Sequence, residues 1–376
     1  MTSDDGIQDR TPHGRVLMLA PDPTISGPVP GPIGKVAHRL ADALRLAGWE
    51  VDTELWGRHS RDEGLLGKVT GRARDLLRIR RRLSRGAYDL VFIHTTHDSR
   101  ALLRDLLLVV PLRQRVAWVV LIHGSHFEKG RPIFDRMARA LVARASAVLL
   151  LSSEEVAAWR SFYPSGHYRQ VANALAPEPP ELGRRSAGAP RADECEVLFV
   201  GRLIREKGVH ELIDAFAALR SRRTCRLTVA GEGPECEALR ARVHELGIVD
   251  DVEFAGHLDE DGLADLYRRA DVLVLPSYSE GLPTVLLEAM SFGLPIVTTR
   301  IRGAADHLDD GVNALFVPPR DTEALVRALE DLLDDEPLRA AMASHNVLKA
   351  RDFSPRKVAE AYAAVFEDVM RERGAL

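Results

Sequence analysis

Cysteine is nearly absent: 376 residues contain three, Cys195, Cys225 and Cys236. An odd, widely spaced set without metal-ligand spacing excludes a disulfide framework and a zinc knuckle, and reads as free thiols in a reducing compartment. No apolar run reaches membrane-spanning length, and Met1 to Gly14 is polar rather than signal-like. A cytoplasmic protein with a frayed N-terminus is expected. Strong charge of either sign is missing as well, and a net charge of -4 argues against a general nucleic-acid binder. The G-x-G-x-x-G spacing of dinucleotide sites does not occur, which disfavours NAD. No pyridoxal-phosphate lysine motif is evident, so no cofactor is expected.

What is present is a long alternation of short apolar runs and helical stretches. Arg15 to Ala20, Glu50 to Leu55, Tyr88 to Ile93, Trp118 to Ile122 and Ala147 to Leu151 read as buried strands. A Pro/Gly-rich loop from Pro21 to Gly34 separates the first strand from a helix expected over about Lys35 to Leu46. Residues 177 to 193, rich in Pro, Gly and Ser, read as a linker. The alternation then restarts with strands at Cys195 to Val200, Arg226 to Ala230, Val252 to Ala255, Asp271 to Leu275 and Ile296 to Thr299. The expected fold is α/β, with two doubly wound Rossmann-like domains over 1–177 and 178–354. A last helix, within 355–376, is expected to complete the first domain.

One stretch concentrates the chemistry. After the strand ending at Leu275 comes Pro276-Ser277-Tyr278-Ser279-Glu280-Gly281-Leu282-Pro283, then an expected helix through Thr284 to Met290 that carries Glu288. Open α/β sheets bind ligands at the carboxyl ends of their strands, and helix N-termini bind anions. Two carboxylates beside an anion site suit a ligand with both phosphates and hydroxyls, a sugar nucleotide. Read as one helix, Glu280 and Glu288 would stand about 12 Å apart along its axis, too far to flank one glycosidic bond as a hydrolase pair does.

The two glutamates with seven residues between them, set in Pro276-Ser277 and Glu280-Gly281-Leu282-Pro283, resemble the signature of the retaining family-4 glycosyltransferases, and the likeness extends over nearly the whole chain. It implies the glycosyltransferase B fold, two Rossmann-like domains facing across a cleft, with a nucleotide-diphosphate sugar as co-substrate and no metal. Arg202 and Lys207 resemble the family's diphosphate-binding pair. His123 matches a histidine at the donor sugar and reaction centre, with His126 less secure. Glu280 would hold sugar hydroxyls and Glu288 the ribose diol. Gly231 and Gly233 would shape the nucleotide pocket, main chain at Gly256, His257 and Leu258 would receive the base, Gly281, Leu282, Pro283 and Thr284 would line the donor site, and the helix amides after Pro283 would face the diphosphate. The resemblance further implies retention of the α configuration.

Other features keep two readings. Gly31 and Gly34 serve either as a phosphate- or acceptor-facing loop or as a turn that tightens the domain edge. The basic segment 58–85, with Arg72, Arg74, Arg78, Arg80, Arg81, Arg82 and Arg85, is either a solvated helix packed by its leucines or a peripheral contact with an anionic membrane or acceptor through 72–85. His94, His97 and Asp98 suggest a metal site, a cleft rim or a helix cap. A sugar-nucleotide epimerase, a phosphorylase-like enzyme and a non-catalytic sugar-nucleotide-binding subunit are the rivals to transfer.

Overall fold

The structure is a computed structural model, described here for residues 13–21, 32–57, 64–86, 88–112, 116–124, 132–175 and 195–374. Gly31, His126, the segment 58–63 and the expected linker at 177–193 lie outside the described residues.

Contacts divide the chain into two compact units. The first holds residues up to Leu150, Ala158–Val171 and the chain from Val358 onward; the second holds Leu151–Ala157 and Ala172–Lys357. In the first, strands β1 (Arg15–Ala20), β2 (Glu50–Leu55), β3 (Leu90–Thr95), β4 (Ala117–Ile122), β5 (Ala147–Leu150) and β6 (Tyr168–Gln170) form one sheet in the order β2-β1-β3-β4-β5-β6. Every pairing is parallel. Its helices are α1 (Pro32–Leu46), α2 (Leu65–Ser84), α3 (Ser99–Leu112), α4 (Pro132–Val142) and α5 (Ser153–Phe162). The reason for these apolar strands is coverage on both faces: every residue of β3 and β4 is buried. The last helix, α13 (Pro355–Glu372), sets Phe366 edge-on to Trp49 and Phe92 of this unit.

The second unit repeats the plan. Strands β7 (Cys195–Val200), β8 (Cys225–Ala230), β9 (Val252–Gly256), β10 (Val272–Leu275), β11 (Ile296–Thr299) and β12 (Leu315–Val317) run in the order β12-β11-β10-β7-β8-β9, again all parallel. Helices α6 (Val209–Arg220), α7 (Cys236–Glu245), α8 (Glu260–Arg269), α9 (Thr284–Ser291), α10 (Arg302–His307), α11 (Thr322–Asp334) and α12 (Glu336–Ala350) connect and cover the strands. In each sheet the chain reverses direction across one strand pair, β1/β3 in the first and β7/β10 in the second. Such switch points open a crevice at the strand ends.

One helix boundary differs from expectation. Helix α1 begins at Pro32 rather than Lys35, because proline's fixed φ and missing N–H suit the first helical position; Gly34 therefore lies inside a helix. Ser152 caps α5 by accepting the Glu155 N–H at 3.2 Å, so that helix opens at Ser153. Helix α9 starts at Thr284 behind Pro283, as expected; Glu280 therefore lies outside it, and the 12 Å rise does not describe the separation of the two glutamates. Among the described residues no helix is long and apolar enough to cross a membrane.

Candidate active site

In the second unit, the loops leaving β7 and β10 emerge on either side of the switch point. The first carries Arg202 and Lys207, the second Glu280. Arg202 is exposed, whereas Lys207 and Glu280 are only 19% and 16% exposed and form an ion pair. The Lys207 ammonium and the Ser277 hydroxyl, 3.0 Å away, both donate to the same Glu280 oxygen, Oε1. The other oxygen, Oε2, takes no part in these two bonds. A further bond ties the two loops through main chain, from Tyr278 N–H to the Glu206 carbonyl at 2.8 Å.

Gly208 makes this union sterically feasible. Its φ of +69° is left-handed, and a Cβ there would stand 2.2 Å from the Pro276 carbonyl oxygen. Only glycine lets the single 3-10 turn of Lys207 (Arg205–Lys207) pass so close under the end of β10. Gly231 plays the same part on the other side: its Cβ would stand 1.8 Å from the Gly201 carbonyl, and its N–H donates to Gly256 at 2.7 Å. Gly233 sits beside it, packed against the Leu203 carbonyl, while His257 and Leu258 follow β9 at the far edge, exposed and half-buried.

The stretch from Gly281 to Thr284 is held by its carbonyls. Gly303 N–H donates to Gly281 at 2.8 Å, and the buried Asn173 amide donates to Leu282 at 2.8 Å. Pro283 then caps α9, whose first amides, beginning at Thr284, are the usual unsatisfied donors of a helix start. Glu288, one turn into α9, accepts from the Tyr267 hydroxyl at 3.0 Å, and that tyrosine is itself stacked on Phe292. Gly208, Asn173 and Tyr267 escaped the sequence reading, and Ser277 entered it only as part of the signature, without a role. Of these, Gly208 alone carried a signal, a glycine placed immediately before a helix.

In the first unit, the strand ends carry histidines. His123 leaves β4, and its N–H donates to the Thr95 carbonyl at 2.8 Å. His94 is not a rim residue: it belongs to β3 and is 1% exposed. His94 Nδ1 and His123 Nε2 lie 3.0 Å apart. Burial pushes the His123 imidazole down to about 4 and holds His94 well below the ordinary histidine range, where His123 and then His38 add repulsion. Asp98 is the helix cap, accepting from Arg100 and Ala101 N–H at 3.0 and 3.1 Å, while His97 is buried against Phe134 and Trp159. Among the described residues no three His, Cys, Asp or Glu side chains come together as a metal site. Gly34 is buried, and its carbonyl lies 2.9 Å from His38 Nδ1.

Along α2, ion pairs occupy several arginines of the basic segment. Arg78 pairs with Glu54 and Asp75, Arg82 with Glu54 and Asp52, and Arg80 donates to the Leu107 carbonyl. Arg74, Arg81 and Arg85 lie on the exposed face.

Residues 184–346 match the family described as Glycosyl transferases group 1. Over 387 aligned residues the chain is 29% identical to an alpha-D-kanosaminyltransferase of Streptomyces kanamyceticus, covering 95% of each protein. Its fold is similar to that of sucrose-phosphate synthase from Thermosynechococcus elongatus, with a TM-score of 0.78 at 22% identity over 95% of this chain and 99% of that one. It is also similar to Anabaena HepE in complex with UDP and glucose, with a TM-score of 0.73 at 19% identity over 95% and 100% of the two chains. The matched family segment lies in the second unit, and the full-length structural likeness takes in both parallel sheets, so the chain has the glycosyltransferase B fold and its second unit is similar to the group 1 glycosyltransferases.

Proposed function

We propose that this protein is a group 1 glycosyltransferase that moves a sugar from a nucleotide-diphosphate donor, a UDP- or GDP-sugar, to a hydroxyl of a glycan, lipid-linked or small-molecule acceptor, with retention and without a metal ion. The observation that carries this reading is the meeting of Lys207 and Glu280 at the β7/β10 switch point, beside the start of α9. A cation and helix amides face the same crevice as a carboxylate with one oxygen to spare. Arg202 clamps the diphosphate in two-pronged fashion, Lys207 and the α9 amides stabilise charge as it departs, and Glu280 Oε2 orients the sugar hydroxyls. Glu288 takes the ribose diol, and main chain at Gly256 to Leu258 takes the base. His123 contacts the donor sugar. The proton of the acceptor hydroxyl goes to an oxygen of the departing diphosphate, since the imidazole burial that lowers His123 makes it a poor base. The UDP bound to Anabaena HepE supports a uridine donor, and the name of the Streptomyces relative specifies an alpha-D-sugar.

The test is a thermal-shift panel of UDP, GDP, ADP and their sugars, because a ligand that binds the folded state raises its apparent stability in proportion to affinity. One nucleotide should stand out, and its shift should shrink in Arg202→Ala. A protein that answers to none of them contradicts the reading, and one that binds a sugar nucleotide but hydrolyses or transfers nothing is a binding subunit. Peripheral membrane contact, where it occurs, uses the outward Arg74, Arg81 and Arg85. Sedimentation with phosphatidylserine vesicles, lost in the triple alanine variant, tests it.

A further inference from the structure

The paired histidines of the first unit hold a proton whose position can be worked out. Strands β3 and β4 are neighbours in register, with His94 opposite Leu121 and Thr95 opposite Ile122, and His123 is the next residue along. This brings the two rings into a stack, with centroids 5.2 Å apart and planes at 22°. The facing nitrogens, His94 Nδ1 and His123 Nε2, are 3.0 Å apart. One of them must donate and the other accept, so a single proton lies between two neutral rings. Neutrality itself follows from burial, which disfavours either imidazolium, and from His38, whose charge would repel His94.

Two arrangements satisfy the contact, and they differ in what they leave at the outer nitrogens. If His123 donates through Nε2, then His94 must carry its own proton on Nε2. That atom is buried and has no hydrogen-bond partner among the described residues. If instead His94 donates through Nδ1, its Nε2 is a bare lone pair. A buried N–H without an acceptor is rarer in proteins than an under-satisfied acceptor, and the second arrangement avoids it. His123 then accepts at Nε2 and carries its proton on Nδ1. His123 is partly exposed and its Nε2 is taken up by His94, so Nδ1 is the ring nitrogen left to meet a ligand.

We propose that His94 is a positioning residue that fixes the tautomer of His123, so that His123 presents an Nδ1–H donor, not a lone pair, to an oxygen of the donor sugar. Histidine free in water favours the Nε2–H form, so both rings adopt the form they would not choose alone. The contact between them, and the lack of any acceptor for His94 Nε2 among the described residues, decide it. The proposal rests on the reading of His123 as a contact of the donor sugar, and it gives that contact a direction: His123 donates a hydrogen bond and does not collect the acceptor's proton.

The experiment is a long-range proton-nitrogen correlation spectrum of the full chain labelled with 15N-histidine at neutral pH, with signals assigned through His94→Asn and His123→Gln. His123 should show a pyridine-type Nε2 and a protonated Nδ1, and His94 likewise. A His123 protonated at Nε2, or at both nitrogens, overturns the assignment. In His94→Leu the inner donor is gone, so His123 should move toward Nε2–H, and turnover should fall about tenfold, the worth of one hydrogen bond, with nucleotide affinity unchanged. His94→Asn sets an amide N–H where Nδ1 was and should restore both the Nδ1–H signal and most of the turnover. An unaltered His123 tautomer in His94→Leu removes His94 from its role; should that variant not fold, the wild-type spectrum and His94→Asn decide. An Nδ1–H signal in a protein whose turnover survives His123→Gln would instead reject the sugar contact while leaving the tautomer standing.

Discussion

Acidification should weaken the first unit through His94 and His123 before its carboxylates titrate. Both imidazoles are held neutral by burial, and His123 is pushed down to about 4. In the unfolded chain each returns to about 6.5. The sign follows from linkage. Between these values the unfolded state binds the extra proton, so stability is fully present above pH 6.5 and is lost as pH falls toward 4. Each such histidine contributes a slope of up to about 1.4 kcal/mol per pH unit, so lowering the pH from 7 to 4.5 costs about 2–3 kcal/mol for His123 alone. That is a large share of a typical domain's 5–15 kcal/mol, roughly speaking. The assay is built into the sequence: the four tryptophans, Trp49, Trp56, Trp118 and Trp159, all belong to the first unit. Urea unfolding followed by tryptophan emission therefore reports this unit, at a series of pH values from 7 to 4.5. His123→Gln should lose markedly less stability than the wild type over that range. If the two proteins lose stability in parallel between pH 6.5 and 5, the burial argument is wrong.

Gly208→Ala should destabilise the second unit by about 3 kcal/mol or more, since left-handed φ costs about 1–2 kcal/mol and the new Cβ also meets the Pro276 carbonyl; calorimetry reads the shift. Lys207→Ala and Glu280→Ala should each lower kcat about 10²–10³-fold while the fold persists by circular dichroism, as expected for groups that act on developing charge or hold the reacting sugar, and normal turnover by either would remove its assigned role. Tyr267→Phe, which deletes the hydrogen bond to Glu288, should weaken a ribonucleotide about tenfold but its 2′-deoxy analogue much less; equal losses in titration calorimetry would mean that Glu288 does not read the diol.

The strands were legible because parallel strands are buried on both faces and so appear as unbroken apolar runs; Leu90 to Ile93 and Val272 to Leu275 are wholly buried. The switch-point loops were legible from glycine and charge at strand ends. What stayed hidden depends on sequence-distant partners. Lys207 and Glu280 are 73 residues apart, and nothing local to either announces their ion pair. Lys207 read only as part of a diphosphate-binding pair with Arg202, because a lysine near a helix start has no partner in its own segment. His94 is similar: a histidine at the end of a strand can face a crevice or be sealed beneath its neighbour, and only the register against β4 decides. Gly34 was misplaced because Pro32 can end a loop or begin a helix, and local sequence favours neither.

The loop around Glu280 gains its character from how many separate segments hold it. Ser277 gives its carbonyl to the Thr299 hydroxyl at 2.5 Å, Tyr278 gives its N–H to Glu206, and Glu280 itself is gripped by Lys207. Gly281 and Leu282 give their carbonyls to Gly303 and Asn173. The five contacts between Ser277 and Leu282 thus reach three other stretches of chain, at Asn173, at Glu206 and Lys207, and at Thr299 to Gly303. A loop of this composition, with Ser, Gly and Pro, would otherwise lose about 1–2 kcal/mol of backbone freedom per residue on meeting a ligand. Here that ordering is already complete in the fold, so contacts with a sugar are not spent on arranging the loop. The same restraint limits what the loop can do. Glu280 can turn its free oxygen to a hydroxyl, but it cannot swing to a distant acceptor without breaking the Lys207 pair. On the proposed function, such a carboxylate holds the sugar still while another group takes the proton.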